Sequence, residues 1–167
     1  MEVRSIEAIV RALNEAGARY LIAGGLAVLA HGYMRATEDL DLILDLTEEN
    51  LRKALPALAA LGYRPKPPVA LELFADAPTR AQWVRDKGLT VFSLFSPAHQ
   101  TVDIDLFVEE PLDFTRAYTE AARQEIVPGL PAVFVGLQDL LALKRQAGRP
   151  KDLVDIQHLE MLEGSDE

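Results

Sequence analysis

Apolar residues along this chain recur with two different periods, and the switches between them sketch the architecture. Val3, Ile6, Ile9, Val10 and Leu13 stand at helical spacing and Gly17 follows as a stop, which predicts an amphipathic helix over 3–16. Arg19 to Ala23 is a short apolar run that reads as a buried strand entering a tight turn at Gly24-Gly25, with a short helix from Leu26 to Tyr33. From Asp39 to Leu46 the period becomes two. Leu40, Leu42, Leu44 and Leu46 share one face, and Asp39, Asp41, Ile43 and Asp45 share the other, the clearest strand in the sequence.

Thr47 then offers an N-cap, with Glu48 and Glu49 in the first turn, so a helix runs towards Gly62; Pro56 inside it predicts a kink or a split. Pro65-Lys66-Pro67-Pro68 reads as a loop, and residues 69–87 as a mixed segment that turns helical from Arg80 to Lys87. Leu89 to Phe95 and Thr101 to Val108 are strand-like, separated by Ser96-Pro97-Ala98-His99, and predict an antiparallel hairpin. A helix is expected over Leu112 to Arg123 and a short apolar run over Ala132 to Val135. Two helices follow, Leu137 to Ala147 and Lys151 to Leu162, joined at Gly148-Arg149-Pro150. Residues 1–163 are thus expected to form one α/β (α+β) domain, a small mixed β-sheet flanked by helices with C-terminal helices, and residues 164–167 a flexible tail.

Composition narrows the function classes. The 167 residues carry a net charge of −9, which argues against affinity built on neutralising long stretches of phosphate backbone, although a local basic patch would be compatible with it. With no cysteine there is neither a disulfide nor a thiolate nucleophile, nor a Cys-based zinc site. The charged N-terminus lacks a signal-peptide core, and the apolar stretch from Tyr20 to Ala30 is too short to span a bilayer, so a cytoplasmic protein with no membrane contact is expected.

The chemistry concentrates in three places: the Gly24-Gly25 turn, Asp39-Leu40-Asp41 beginning fourteen positions after Gly25, and Asp103-Ile104-Asp105 on a later strand. Asp39 and Asp41 point to one side of their strand, roughly 7 Å apart along it. Asp105, or Asp103 on the same face, would add a third carboxylate from a neighbouring strand. Two carboxylates at 4 Å repel by about 4 kcal/mol at an effective dielectric near 20, so a close cluster calls for a cation. Oxygen donors suit hard divalent ions, Mg2+ or Mn2+, which also bind substrate phosphates. The glycines let backbone approach a ligand closely at a helix start, where a triphosphate would place its α-phosphate near the acids. Taken singly, a double glycine is a turn and an Asp-x-Asp is solvated surface; only their joint order and spacing point to a site. No Gly-Lys-Ser/Thr follows the glycines, so this is not a P-loop.

This arrangement resembles the DNA polymerase β-type nucleotidyltransferase superfamily, with its Gly-Gly or Gly-Ser turn, spaced Asp-x-Asp/Glu and third strand acid. The segments Ile22 to Ala27 and Arg35 to Leu42 look like the small bacterial nucleotidyltransferases related to the abortive-infection toxin family, and Leu140 to Lys144 with Gly148 to Asp155 is a second match. The resemblance implies a nucleotidyltransferase fold, Gly24 and Gly25 on the triphosphate, and Asp39, Asp41 and Asp105 on the metal, with Asp103 the second choice. It also implies that Arg35 and Thr37 meet the nucleotide's phosphate or order the loop, and that Lys144, Arg149 and Lys151 offer positive charge to the triphosphate or the acceptor. Their structural alternatives are plain: Arg35 pairing with Glu38 or Asp39, Lys144 snorkelling from a packed helix, and salt bridges between Arg149, Lys151, Asp152 and Asp155. His31, His99 and His158 show no ligand spacing, and Trp83 reads as a packing anchor.

The expected function is therefore transfer of a nucleoside monophosphate from a triphosphate to a hydroxyl on a tRNA end, a protein or a small molecule. The competing expectation is a catalytically silent protein of the same fold, a partner in a toxin–antitoxin-type system.

Overall fold

The computed structural model describes residues 2–165 and centres on a mixed seven-stranded sheet. Its strands are β1 (Tyr20–Ala23), β2 (Asp39–Leu44), β3 (Arg64–Pro65), β4 (Val91–Phe95), β5 (Asp103–Phe107), β6 (Ala122–Val127) and β7 (Leu130–Phe134), in the order β3-β4-β5-β2-β1-β7-β6. The helices are α1 (Val3–Glu15), α2 (Gly24–Ala30), α3 (Glu48–Ala60), α4 (Ala77–Lys87), α5 (Phe114–Thr119), α6 (Leu137–Ala147) and α7 (Pro150–Ser165). A mixed β-sheet flanked by helices is what the pattern predicted.

The centre of the sheet follows from the apolar alternation. Leu40, Leu42 and Leu44 of β2 are fully buried on one face, while on the other Ile43 is buried and Asp39 is exposed. Both faces of β2 are therefore covered at its C-terminal end, and one face opens at the Asp39 end. β1 runs antiparallel to β2, β5 runs parallel to it, and β4 runs antiparallel to β5, the predicted hairpin. Ile6, Ile9, Val10 and Leu13 of α1 are buried, and α1 packs against α3, whose Leu51, Ala54, Leu55 and Leu58 are buried as well. Asn50 ties this layer to the sheet by accepting from Arg19 N at 2.7 Å and donating to Arg19 O and Asp45 O at 3.0 and 2.8 Å. α6 packs on α7 and on α2.

Several boundaries differ from the sequence reading. The helix expected over 112–123 stops at Thr119, because Ala122–Val127 pairs antiparallel with β7 around Pro128-Gly129, where Gly129 has φ +82°. That Pro-Gly pair is a turn signal the helical pattern obscured. Pro56 does not divide α3: it lies on the exposed side of the helix, away from the packed face. Pro65, expected to open a loop, instead ends a two-residue edge strand, Arg64–Pro65, a position that tolerates proline. The mixed segment becomes a 3-10 turn, Leu71–Ala75, then α4, which starts earlier than Arg80 because Asp76 accepts from Thr79 N as its cap. Of the tail expected at 164–167, residues 164 and 165 are the end of α7, and the last two residues lie outside the described residues. Among the described residues no helix is long and apolar enough to cross a membrane.

Candidate functional site

The open end of β2 and β5 forms the floor of a cleft of about 590 Å³, lined by Gly24, Asp39, Asp41 and Asp105 together with residues from α6 and the start of α7. The parallel register of β2 and β5 sets Asp39 beside Asp103 and Asp41 beside Asp105. Since side chains two apart on a strand share a face, all four acids stand on one side of the sheet. Their surroundings separate them. Lys66 Nζ lies 2.7 Å from Asp103 Oδ2, so the charge of Asp103 is matched locally. Asp105 has a neutral partner instead: the Ser93 hydroxyl, opposite it on β4, donates to Oδ1 at 2.5 Å.

Crowding shows in proton affinity. Burial, then the Asp105 and Asp39 carboxylates, push Asp41 up to about 6, with Lys144 and Lys151 partly opposing. Asp39 is raised as well, by burial first and then by Asp105 and Asp103, with Lys66 opposing. The donors are all carboxylate oxygens beside uncompensated negative charge, a set that fits a hard divalent ion. Among the described residues, however, no three acidic or imidazole groups are already drawn around a common point, so the acids line the cleft rather than form a closed cage.

The two glycines are explained by what presses on them. Gly24 starts α2 with φ +61°, and a β-carbon there would sit 1.8 Å from Asp41 Oδ2. A β-carbon on Gly25 would sit 2.3 Å from Thr37 Oγ1 and 3.2 Å from an Arg35 terminal nitrogen. The turn thus accepts the Asp41 carboxylate against its backbone on one residue and the segment leading into β2 on the next.

The basic residues divide into two groups. Lys144 and Arg149 line the cleft, as does Lys151, whereas Gly25, Arg35 and Thr37 stand outside its lining. Arg35, which the sequence offered to phosphate or to a neighbouring acid, instead holds Asp155 of α7 through Nε and a terminal nitrogen at 2.8 and 2.9 Å, and donates to Ala36 O at 2.8 Å. Lys144 is buried, its Nζ 3.2 Å from Asp152 and 3.0 Å from Asp155. Arg149 holds Asp152 at 2.7 Å. Burial alone would raise Asp152, but hydrogen bonds from Arg149 and Lys144 outweigh it and keep the carboxyl below its usual range. Of the salt bridges weighed for this segment, Arg149–Asp152 is present, Asp155 is met by Arg35 and Lys144 instead, and Lys144 does not snorkel to solvent but ends in a buried pair of acids.

Two features escaped the sequence reading. Ser93 is a polar position inside the otherwise apolar Val91–Phe95 alternation, on the face of the acids, and that interruption was its signal. The Lys66–Asp103 pair carried no local signal, since it joins the strand edge to a proline-rich segment. The three histidines stay away from the cleft as expected: His31 meets Val135 O, His99 meets Ser5 and His158 stacks on Tyr33. Trp83 stacks on Phe92 with ring centroids 5.0 Å apart, a packing role.

Known structures share this fold at low identity. ANT(2″)-Ia in complex with adenylyl-2″-tobramycin superposes with a TM-score of 0.56 at 16% identity, covering 98% of this chain and 95% of the other. The lincosamide antibiotic adenylyltransferase LnuA, lincomycin-bound, gives 0.58 at 13% identity, covering 95% and 96%. An antigenic nucleotidyltransferase-like protein from Paracoccidioides brasiliensis gives 0.55 at 14%, covering 96% and 75%. No curated protein sequence matches the chain. The profile of one family, described as nucleotidyl transferase AbiEii toxin, type IV TA system, matches residues 8–167. The chain belongs to the AbiEii nucleotidyltransferase toxin family.

Proposed function

We propose that this chain transfers a nucleoside monophosphate from a nucleoside triphosphate to a hydroxyl of an acceptor molecule, in the cleft between the Asp41–Asp105 pair and α6. The observation that carries the reading is the β2–β5 register, which sets Asp41 beside Asp105 while Asp41 rests on Gly24. Asp39, Asp41 and Asp105 are the residues that would hold Mg2+ or Mn2+, with Asp103 left to Lys66. A divalent ion bound there would supply Lewis-acid activation of the α-phosphate and charge for the departing pyrophosphate.

The chain's own groups do the rest. The backbone of Gly24 approaches the triphosphate, with Gly25 behind it in the same turn, and Lys151 and the exposed Arg149 guanidinium offer its oxygens positive charge, while Lys144 stays with Asp152 and Asp155 and holds that wall in place. Arg35 and Thr37 act at one remove, by shaping the turn. Asp105 takes the proton of the acceptor hydroxyl, whose oxygen bonds to the α-phosphorus as the bond from that phosphorus to the bridging oxygen breaks and pyrophosphate leaves. Asp41, raised first by burial and then by the Asp105 and Asp39 carboxylates, is the acid that a bound cation would most favour in its ionised form.

The family description makes the toxin role the natural setting, with an antitoxin as the genetic partner, and the cytoplasm as the place where triphosphates are available. A tRNA end, a protein side chain and a small molecule each offer the required hydroxyl; tobramycin and lincomycin are the small molecules named with the similar structures. The test is incubation of the protein with α-labelled triphosphates, Mg2+ and a cell lysate. Label should appear in one class of macromolecule or metabolite and vanish with Asp41→Asn. Undiminished labelling by that variant refutes the assignment, and absence of triphosphate binding at millimolar concentration supports the silent protein of the same fold.

A further inference from the structure

Asp103 and Asp105 share a strand and a face, yet the structure gives them different kinds of partner. Lys66 reaches Asp103 with a full positive charge. Ser93 reaches Asp105 with a hydroxyl that donates to Oδ1. Ser93, Asp105 and Asp41 occupy facing positions on three adjacent strands, β4, β5 and β2. The hydroxyl therefore holds Asp105 on the side away from Asp41, against a neighbour that repels it.

We propose that Ser93 is the positioning residue that makes Asp105, rather than Asp103, the third carboxylate of the cleft. Bonded at Oδ1, Asp105 loses its freedom to swing away from Asp41 and presents Oδ2, while its negative charge stays undivided. A lysine at the same place would orient the group but also consume its charge, as Lys66 does at Asp103. The neutral donor orients without neutralising. Within Val91–Phe95 the alternate positions Phe92 and Leu94 are buried core, so Ser93 is the residue of this strand that faces the acids with a polar atom.

The inference rests on the reading of the cleft as a metal and triphosphate site, and its test separates the two. Mn2+ binding to the full-length protein is titrated by electron paramagnetic resonance for wild type, Ser93→Ala, Ser93→Thr and Asp41→Asn, alongside thermal melts and the labelling rate. Removing an outer partner of a ligating carboxylate typically costs 10–100-fold, so Ser93→Ala should weaken Mn2+ binding and slow labelling at saturating triphosphate by about tenfold or more. The triphosphate concentration for half-maximal rate should move by less than about twofold, and Ser93→Thr, which keeps the hydroxyl, should restore both values. If folded Ser93→Ala binds Mn2+ and labels like wild type, or if folded Ser93→Thr is as impaired as Ser93→Ala, the role of Ser93 is overturned while the site stands. If Asp41→Asn binds Mn2+ as tightly as wild type, the reading of the site itself fails and takes this inference with it.

Discussion

Arg35 and Asp155, 120 residues apart in the chain, are joined by two hydrogen bonds of 2.8 and 2.9 Å from one guanidinium to one carboxylate. Asp155 is only 1% exposed and also meets Lys144 at 3.0 Å, so this fork fastens α7 to the segment that enters β2. The same guanidinium presses on the turn at Gly25. Loss of one partner from a buried ion pair strands the other charge, which typically costs 3–5 kcal/mol. Arg35→Ala should therefore lower unfolding free energy by about 3 kcal/mol, the low end because Lys144 still faces Asp155. Urea denaturation measures it; a loss below about 1 kcal/mol would show that the fork is not what holds α7 in place.

Asp41 carries a stability cost that substitution should release. Its folded pKa of about 6 lies above the usual carboxylate range, so between about pH 4 and pH 6 the native state holds a proton that the unfolded chain gives up. Stability from this group is therefore lost as pH rises through that window and stays lost above it. At about 1.4 kcal/mol per pH unit of displacement, Asp41→Asn should gain about 2–3 kcal/mol at pH 7 while abolishing nucleotide transfer. Thermal melts from pH 4 to pH 8 without divalent ion check the sign. A variant less stable than wild type at pH 7 contradicts it.

Gly24→Ala should damage both fold and function. At φ +61° a side chain costs about 1–2 kcal/mol, and the new methyl would overlap Asp41 Oδ2. The carboxylate must move, so Mn2+ affinity should fall together with stability. Calorimetry on the folded variant tests the first effect and urea denaturation the second. Unchanged Mn2+ affinity would show that Asp41 does not depend on the turn for its place.

Asp103→Asn and Asp105→Asn should behave differently although the residues are two apart. Asp103 faces a half-exposed Lys66, and pairs of that kind contribute about 0–1 kcal/mol, so Asp103→Asn should leave stability and transfer close to wild type. Asp105→Asn should abolish labelling. Equal loss from both substitutions in the lysate assay would return Asp103 to the site.

What the residues determined alone is the part of this protein governed by local periodicity. The two-residue alternation of Asp39 to Leu44 requires a strand with acids on one face, the helical spacing of Ile6, Ile9, Val10 and Leu13 requires a buried helix face, and the order of glycines and acids was enough to reveal the family. Tertiary structure decided everything that depends on which segments become neighbours. The parallel register of β2 and β5 chose Asp41's companion, antiparallel pairing brought Ser93 to Asp105, and α7 delivered Asp155 to Arg35. The helix expected to run to Arg123 gave way at Thr119 because pairing with β7 satisfies the backbone of Ala122–Val127 across the sheet, an alternative whose one local sign is the Pro128-Gly129 turn. Periodicity records the face each side chain presents; only the closing of the chain on itself supplies the charge or hydroxyl that waits there.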